Sequence, residues 1–105
     1  MGHGVGQKEI FGPVLSVIPA GIAAESVRIA NDTIYGLNAA VFTEDADRAY
    51  DVARQPRAGT VAGNGYRADF GVLFGGFKQS GIGREMGPAG LEEFLEAKSL
   101  AAPVG

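Results

Sequence analysis

Residues 70–87, FGVLFGGFKQSGIGREMG, combine the side chains and the backbone freedom from which a site can be built. Phe70, Phe74 and Phe77 alternate there with glycines, and more than half of the chain's 17 glycines fall between Gly63 and Gly90. Glycine serves where the backbone takes positive φ or where another surface approaches closely, and each one costs chain entropy on folding. The run therefore predicts a tightly folded, partly buried loop walled by aromatics. The alternative is a solvated structural loop, because glycine and phenylalanine also serve packing alone.

Other chemistries are weaker or excluded. Gly71 and Gly76 have the spacing that opens a phosphate-binding P-loop, but Phe77 and Gln79 break the Gly-Lys-Ser/Thr ending that sets a lysine on the phosphates. Cysteine is absent from these residues. They therefore hold no disulfide, no thiolate metal site and no cysteine nucleophile. His3 is the sole histidine, so no ligand set for a structural zinc exists. His3 itself lies in MGHGVG, residues 1–6, read as a solvated tail with no periodicity. The G-x-G-x-G of that tail lacks the preceding strand of a dinucleotide fingerprint, and Gly6 stands where myristoylation of Gly2 requires Ser or Thr.

Regular elements must position the loop. Residues 13–20, PVLSVIPA, form a short β-branched apolar run between proline and glycine breakers, which predicts a buried strand. Over 22–32 the period changes. Ala23, Val27 and Ala30 take one side with Ile22 and Ile29 near them, and Glu25, Arg28 and Asp32 take the other, an amphipathic helix. Residues 37–42 predict a second strand. Thr43 reads as the N-cap of a further helix, with Glu44, Asp45 and Asp47 in its first turn, Arg48, Arg54 and Arg57 further on, and Pro56 as its stop. Residues 59–63 predict a third strand that leads into the loop. Beyond it, Gly87-Pro88 opens a short helix with Leu91, Phe94 and Leu95 on its apolar side, followed by an extended 96–100 and a frayed 101–105. Strands and helices alternating at these lengths predict an α/β fold, with part of a parallel sheet and right-handed crossovers. The expected organisation is a flexible tail over 1–8, one folded unit over 9–100 and a tail over 101–105.

Bulk properties agree with that class. The 46% hydrophobic content is globular rather than disordered. A net charge of −3 gives no basic patch for nucleic acid or anionic membrane. No apolar run approaches the roughly 18 residues of a membrane span, and the start lacks signal-peptide character. A cytoplasmic protein with neither nucleic-acid nor membrane partners is the expectation.

Five stretches also carry a resemblance. GGFKQSGIGRE at 75–85 is very similar to the C-terminal signature of the aldehyde dehydrogenase superfamily. EIFGPV at 9–14, ANDTIYGLNAAVFT at 30–43, AGTV at 58–61 and LEEFLEAKS at 91–99 resemble further family segments, in the family's order and at about its spacing. The resemblance covers residues 9–100 and implies part of the catalytic domain, about the last fifth of a family member.

In that family an upstream cysteine thiolate attacks the aldehyde, hydride passes from the thiohemiacetal to NAD or NADP, and an upstream glutamate helps water release the carboxylic acid. Neither of those two residues lies in this chain, so the resemblance implies no catalytic residue here and no oxidation by these residues alone. By its place in EIFGPV, Glu9 resembles the glutamate that accepts hydrogen bonds from the ribose hydroxyls beside nicotinamide. Phe11 resembles the aromatic next to the nicotinamide ring. Phe70 and Phe74 resemble the aromatics lining the aldehyde tunnel, where apolar walls hold the carbon chain and exclude water. Arg84 and Glu96 resemble a polar pair near the subunit interface, implying a homo-oligomer or docking on full-length dehydrogenase subunits. Taken without the family, Glu9 reads as a surface charge beside Lys8, and Phe11, Phe70 and Phe74 read as core residues. Three positions depart from the family pattern: Lys8, where a second acidic residue is common, Gly63, where an apolar strand residue is usual, and Leu73, where proline often precedes Phe-Gly-Gly. The competing function is a non-catalytic interaction module that binds dehydrogenase subunits through residues 91–100.

Overall fold

The computed structural model of the chain describes residues 4–103 and 105; His3 and Gly2 lie outside them. Its centre is one βαβ unit. Strand β1, Asn38–Val41, pairs in parallel with β2, Thr60–Gly63, with Asn38 opposite Thr60 and Val41 opposite Gly63. Among the described residues four helices accompany the strands: α1 Gly4–Gln7, α2 Ala23–Asn31, α3 Ala46–Ala53 and α4 Gly87–Glu92. A single 3₁₀ turn, Lys78–Ser80, lies inside the glycine-rich loop. Helix α3 is the crossover between the strands and packs against both. The α/β class and the parallel pairing agree with the sequence reading, with two strands among the described residues rather than three.

The strand expected over 13–20 is absent. Its residues run without regular structure, and Val14, Leu15 and Val17 are 54%, 85% and 82% exposed. A strand is completed by a hydrogen-bonded neighbour, and no described segment pairs with this one. Residues 96–100 likewise join no ladder.

Three further boundaries differ for local reasons. Asp45, not Thr43, caps α3: its carboxylate accepts from the Arg48 N–H at 3.0 Å. The Thr43 hydroxyl, two residues earlier, accepts from the Asp45 N–H at 3.3 Å. At the last helix, α4 closes at Glu92, so Leu91 is helical while Phe94 and Leu95 follow in turns that bond back to Leu91 and Glu92. Residues 4–7, in a stretch with no apolar period, make one helical turn. The start of α2 is set by Glu25, whose carboxylate reaches back to accept from the Gly21 N–H at 2.9 Å.

Among the described residues no side chain is fully buried; the buried positions are Gly36, Gly76 and Gly90. The accessible surface is 8603 Å², whereas a folded monomer of this mass exposes about 5,500 Å². The radius of gyration is 18.7 Å, against about 13 Å for a compact domain of this length. Helix α2 and the β1–β2 sheet have apolar faces that these residues leave open. Parallel sheets are stable when both faces are covered.

Candidate functional site

The glycine-rich loop folds onto the connection between α2 and β1. The Gly36 carbonyl accepts from the N–H groups of Gly59, at 3.0 Å, and Phe77, at 2.8 Å. The Gly36 N–H donates to the Ser80 hydroxyl at 2.9 Å, and the Gln79 N–H to the Ile34 carbonyl at 2.9 Å. Such close approach is possible because Gly59 lacks a side chain: a Cβ there would overlap the Gly75 carbonyl. Lys78 completes the seam, its ammonium donating to the carbonyls of Asn31 and Thr33 at 2.9 and 3.0 Å.

Phe77 is held by charge. The guanidiniums of Arg57 and Arg84 lie 5.0 and 5.1 Å from its ring centroid. Each such contact contributes about 0.5–1 kcal/mol at an exposed site. Arg84 also donates to the carbonyls of Gly76, at 2.9 Å, and Gly83, at 2.8 Å. Arg57 is placed by Asn31, whose side-chain oxygen accepts from the Arg57 N–H at 2.6 Å while its amide donates to the Gln55 carbonyl at 3.1 Å.

Further along, the loop doubles back. Phe74 and Glu85 exchange two backbone hydrogen bonds at 2.8 Å in an antiparallel bridge. Met86 and Gly87 both take left-handed backbone, φ 65° and 64°, and the Gly87 N–H reaches the Phe70 carbonyl at 3.1 Å. The fold-back brings Phe70 and Phe74 onto one cleft of about 210 Å³, shared with Tyr66, Leu73 and Met86. Phe70 is 74% exposed and Phe74 half-buried. The two aromatics singled out from sequence are thus brought together, on an apolar wall that faces solvent.

Glu9 and Phe11 lie elsewhere. Glu9 lines a separate hollow of about 450 Å³ with Lys8, Tyr35 and Arg57. Its carboxylate makes no hydrogen bond or ion pair among those the structure shows, which leaves both oxygens free to accept. Phe11, at φ 57°, is 90% exposed, an unpacked ring on a left-handed backbone. A carboxylate with free oxygens can accept from a ribose diol and an uncovered ring can stack on a flat heterocycle, but Phe11 does not line the hollow that Glu9 does.

Arg84 and Glu96 are not paired in this structure. The ion pairs shown among the described residues join Glu25 to Arg28 and Asp51 to Arg54, both exposed. Arg84 is engaged by loop carbonyls and Phe77, and Glu96 is exposed beyond α4. No group of three or more potential ligands is placed to hold a metal ion among the described residues, and no helix there is long and apolar enough to cross a membrane.

Sequence reasoning missed Lys78, Arg57 and Asn31. Lys78 stands inside the motif GGFKQSG and was legible as part of it, but its partners lie more than forty residues away. Asn31 and Arg57 carry no local signal, since their roles arise from the α2 end meeting the β2 entry.

A βαβ unit with a docked, aromatic-walled glycine loop is the architecture of part of an α/β domain. The profile of the aldehyde dehydrogenase family matches residues 3–100, and the chain belongs to that family. It is 50% identical over 96 residues to a 3-succinoylsemialdehyde-pyridine dehydrogenase of Pseudomonas sp., an alignment covering 91% of this chain and 20% of the relative. Among solved structures, an aldehyde dehydrogenase of Mycobacterium tuberculosis complexed with NAD+ superposes with a TM-score of 0.92 at 46% identity, covering 97% of this chain and 21% of that one. Betaine aldehyde dehydrogenase of Staphylococcus aureus in complex with NAD+ gives 0.82 at 46% identity, over 88% of this chain and 18% of that one. The chain spans about a fifth of the length of the curated relatives it matches.

Proposed function

We propose that these residues form the cofactor- and substrate-lining part of an NAD(P)-dependent aldehyde dehydrogenase, working with a nucleophilic thiolate supplied from outside them. The observation that carries this reading is the cleft in which Phe70 and Phe74 meet, on the loop that matches the family over its whole length. Bound NAD or NADP would supply the hydride acceptor. Glu9 accepts hydrogen bonds from two vicinal ribose hydroxyls, fixing the rotation of the nucleotide, and Phe11 covers the nicotinamide ring. Phe70 and Phe74 hold the aldehyde's carbon chain and keep water from the carbonyl until attack. Arg84 and Glu96 serve the contact between subunits of a homo-oligomer, and the enzyme is cytoplasmic.

The 105 residues contain no thiolate, so no covalent intermediate forms on them alone. Complementation tests this. The purified chain is mixed with NAD+ and an aldehyde, with and without a family dehydrogenase from which the matched fifth has been deleted. NADH formation is expected only in the mixture, and its nicotinamide affinity falls when the chain carries Glu9→Gln. Aldehyde-dependent NADH from the chain alone, after contaminants are removed, overturns the reading; so does failure of any mixture to form NADH.

A further inference from the structure

We infer that Lys78 is a positioning residue that sets the aldehyde-lining wall by tying the glycine-rich loop to the C-terminal end of α2. The inference rests on the dehydrogenase reading of the cleft given above.

Lys78 has φ 54°, left-handed backbone that L side chains rarely adopt. Glycine takes this conformation freely, so a lysine here calls for a reason in its side chain. That reason is visible. Helix α2 ends at Asn31, and the last carbonyls of a helix have no intrahelical partner. The Lys78 ammonium donates to the carbonyls of Asn31 and Thr33, satisfying both and placing a positive charge at the negative end of the helix dipole. The only turn of 3₁₀ helix in the loop begins at this residue, and its neighbours are laced to the same connection, Phe77 to Gly36 and Gln79 to Ile34. Residues 77–80 are thereby fixed against 31–36 from both ends.

The tether reaches the cleft through a short path. Gly76 is held by Arg84, and Arg84 directly precedes Glu85, which is bridged to Phe74. A loop released at Lys78 pivots about the Gly36 contacts and carries Phe74 with it. Lys78 lines no cleft with Phe70 and Phe74 and so acts only through the loop.

Three variants separate the side-chain tether from the turn: Lys78→Met, which keeps the length and removes the charge; Lys78→Gly, which relieves the left-handed backbone and removes the tether; and Lys78→Arg, which keeps the cation. Each is measured in the complemented dehydrogenase, and by amide hydrogen exchange at Gln79 in the chain. Lys78→Met and Lys78→Gly are expected to lose Gln79 protection and to raise KM for a long-chain aldehyde on the order of tenfold, with KM for NAD+ and for a two-carbon aldehyde nearly unchanged. Lys78→Arg retains most of both. Lys78→Gly matching the unsubstituted chain overturns the inference, because Lys78 is then only a turn residue. A fall in kcat and thermal stability with every KM unchanged overturns it too, as the mark of a purely structural role. If complementation itself yields no NADH, the dehydrogenase reading fails, and loss or retention of Gln79 protection across the variants still decides whether the tether exists.

Discussion

Two regions of comparable length are organised in opposite ways. Residues 70–87 and the connection they dock on, 31–36, are joined by backbone and side-chain hydrogen bonds across more than forty positions of sequence, with Gly36 and Gly76 buried. Residues 10–22 are richer in β-branched and aliphatic side chains, yet before Gly21 and Ile22, which bond into the first turn of α2, they hold one short turn bond, Val14 N–H to the Gly12 carbonyl at 2.8 Å, and a long contact of the Ser16 hydroxyl with the Val5 carbonyl at 3.5 Å. Hydrogen bonds and glycine contacts specify the loop from within the chain. Apolar residues specify only that something must cover them, and among the described residues nothing does. The region that bears Phe70 and Phe74 is thus the self-contained one, and the hydrophobic region, which bears Phe11, is the dependent one.

The sharpest way to break the self-contained region is Gly59→Ala. A Cβ at Gly59 would overlap the Gly75 carbonyl, a backbone atom that cannot swing aside as a side chain can. The expected loss is about 3 kcal/mol, at the upper end for overpacking. Gly63→Ala is the control, because a Cβ there meets nothing within 4 Å. Its effect is expected to stay within about 0.5 kcal/mol. Urea midpoints of the complemented dehydrogenase measure both. Equal, small effects would mean that the loop does not dock on the β2 entry as described.

The dependent region is tested by Leu15→Asp. Leu15 is 85% exposed, so in the chain alone the substitution is expected to leave circular dichroism and hydrogen exchange unchanged. In complementation it is expected to weaken association by about tenfold to a hundredfold, the burial of one leucine side chain expressed as an affinity. Glu44→Gln, on the charged surface before α3, leaves association unchanged. Equal titration curves for the three chains would show that residues 10–22 stay uncovered in the assembly.

The same contrast explains what could be seen in the sequence. The α2 and α3 helices, the β1 and β2 strands and the bend into the loop were legible because period, proline stops and glycine density are local signals. The pairing of Phe70 with Phe74 was legible through the family motif, and the structure places both on one cleft. The strand over 13–20 was not: its β-branched run reports a preference for burial against partners, and no described segment supplies the ladder. Arg84 illustrates a second limit. The family resemblance assigns it with Glu96 to a polar pair near a subunit interface, and within one chain the Gly76 and Gly83 carbonyls and the Phe77 ring hold the guanidinium. A charged side chain's partner depends on which acceptors the fold leaves exposed, and the loop's own carbonyls are closer at hand.

The smallest effect lies outside both regions, at the start of α3. Thr43 and Asp45 are both suited to cap α3, and sequence favoured the threonine because the acidic run follows it. In the structure the Asp45 carboxylate takes the Arg48 N–H at 3.0 Å, and Thr43 instead receives the Asp45 N–H through its hydroxyl while its own N–H donates to the Asn64 side chain at 2.8 Å. Asp45→Ala removes an acceptor from an otherwise unpaired helical N–H and a negative charge from the positive end of the helix, an expected loss of about 1 kcal/mol. Thr43→Ala removes only the hydroxyl and keeps the backbone bond to Asn64, so its loss is expected to be less than half as large. Because the aspartate acts partly through charge, raising the salt concentration narrows the difference between the two variants. If Thr43→Ala is the more damaging in urea unfolding, α3 begins two residues earlier than described, and the crossover that sets the β1–β2 register begins with it.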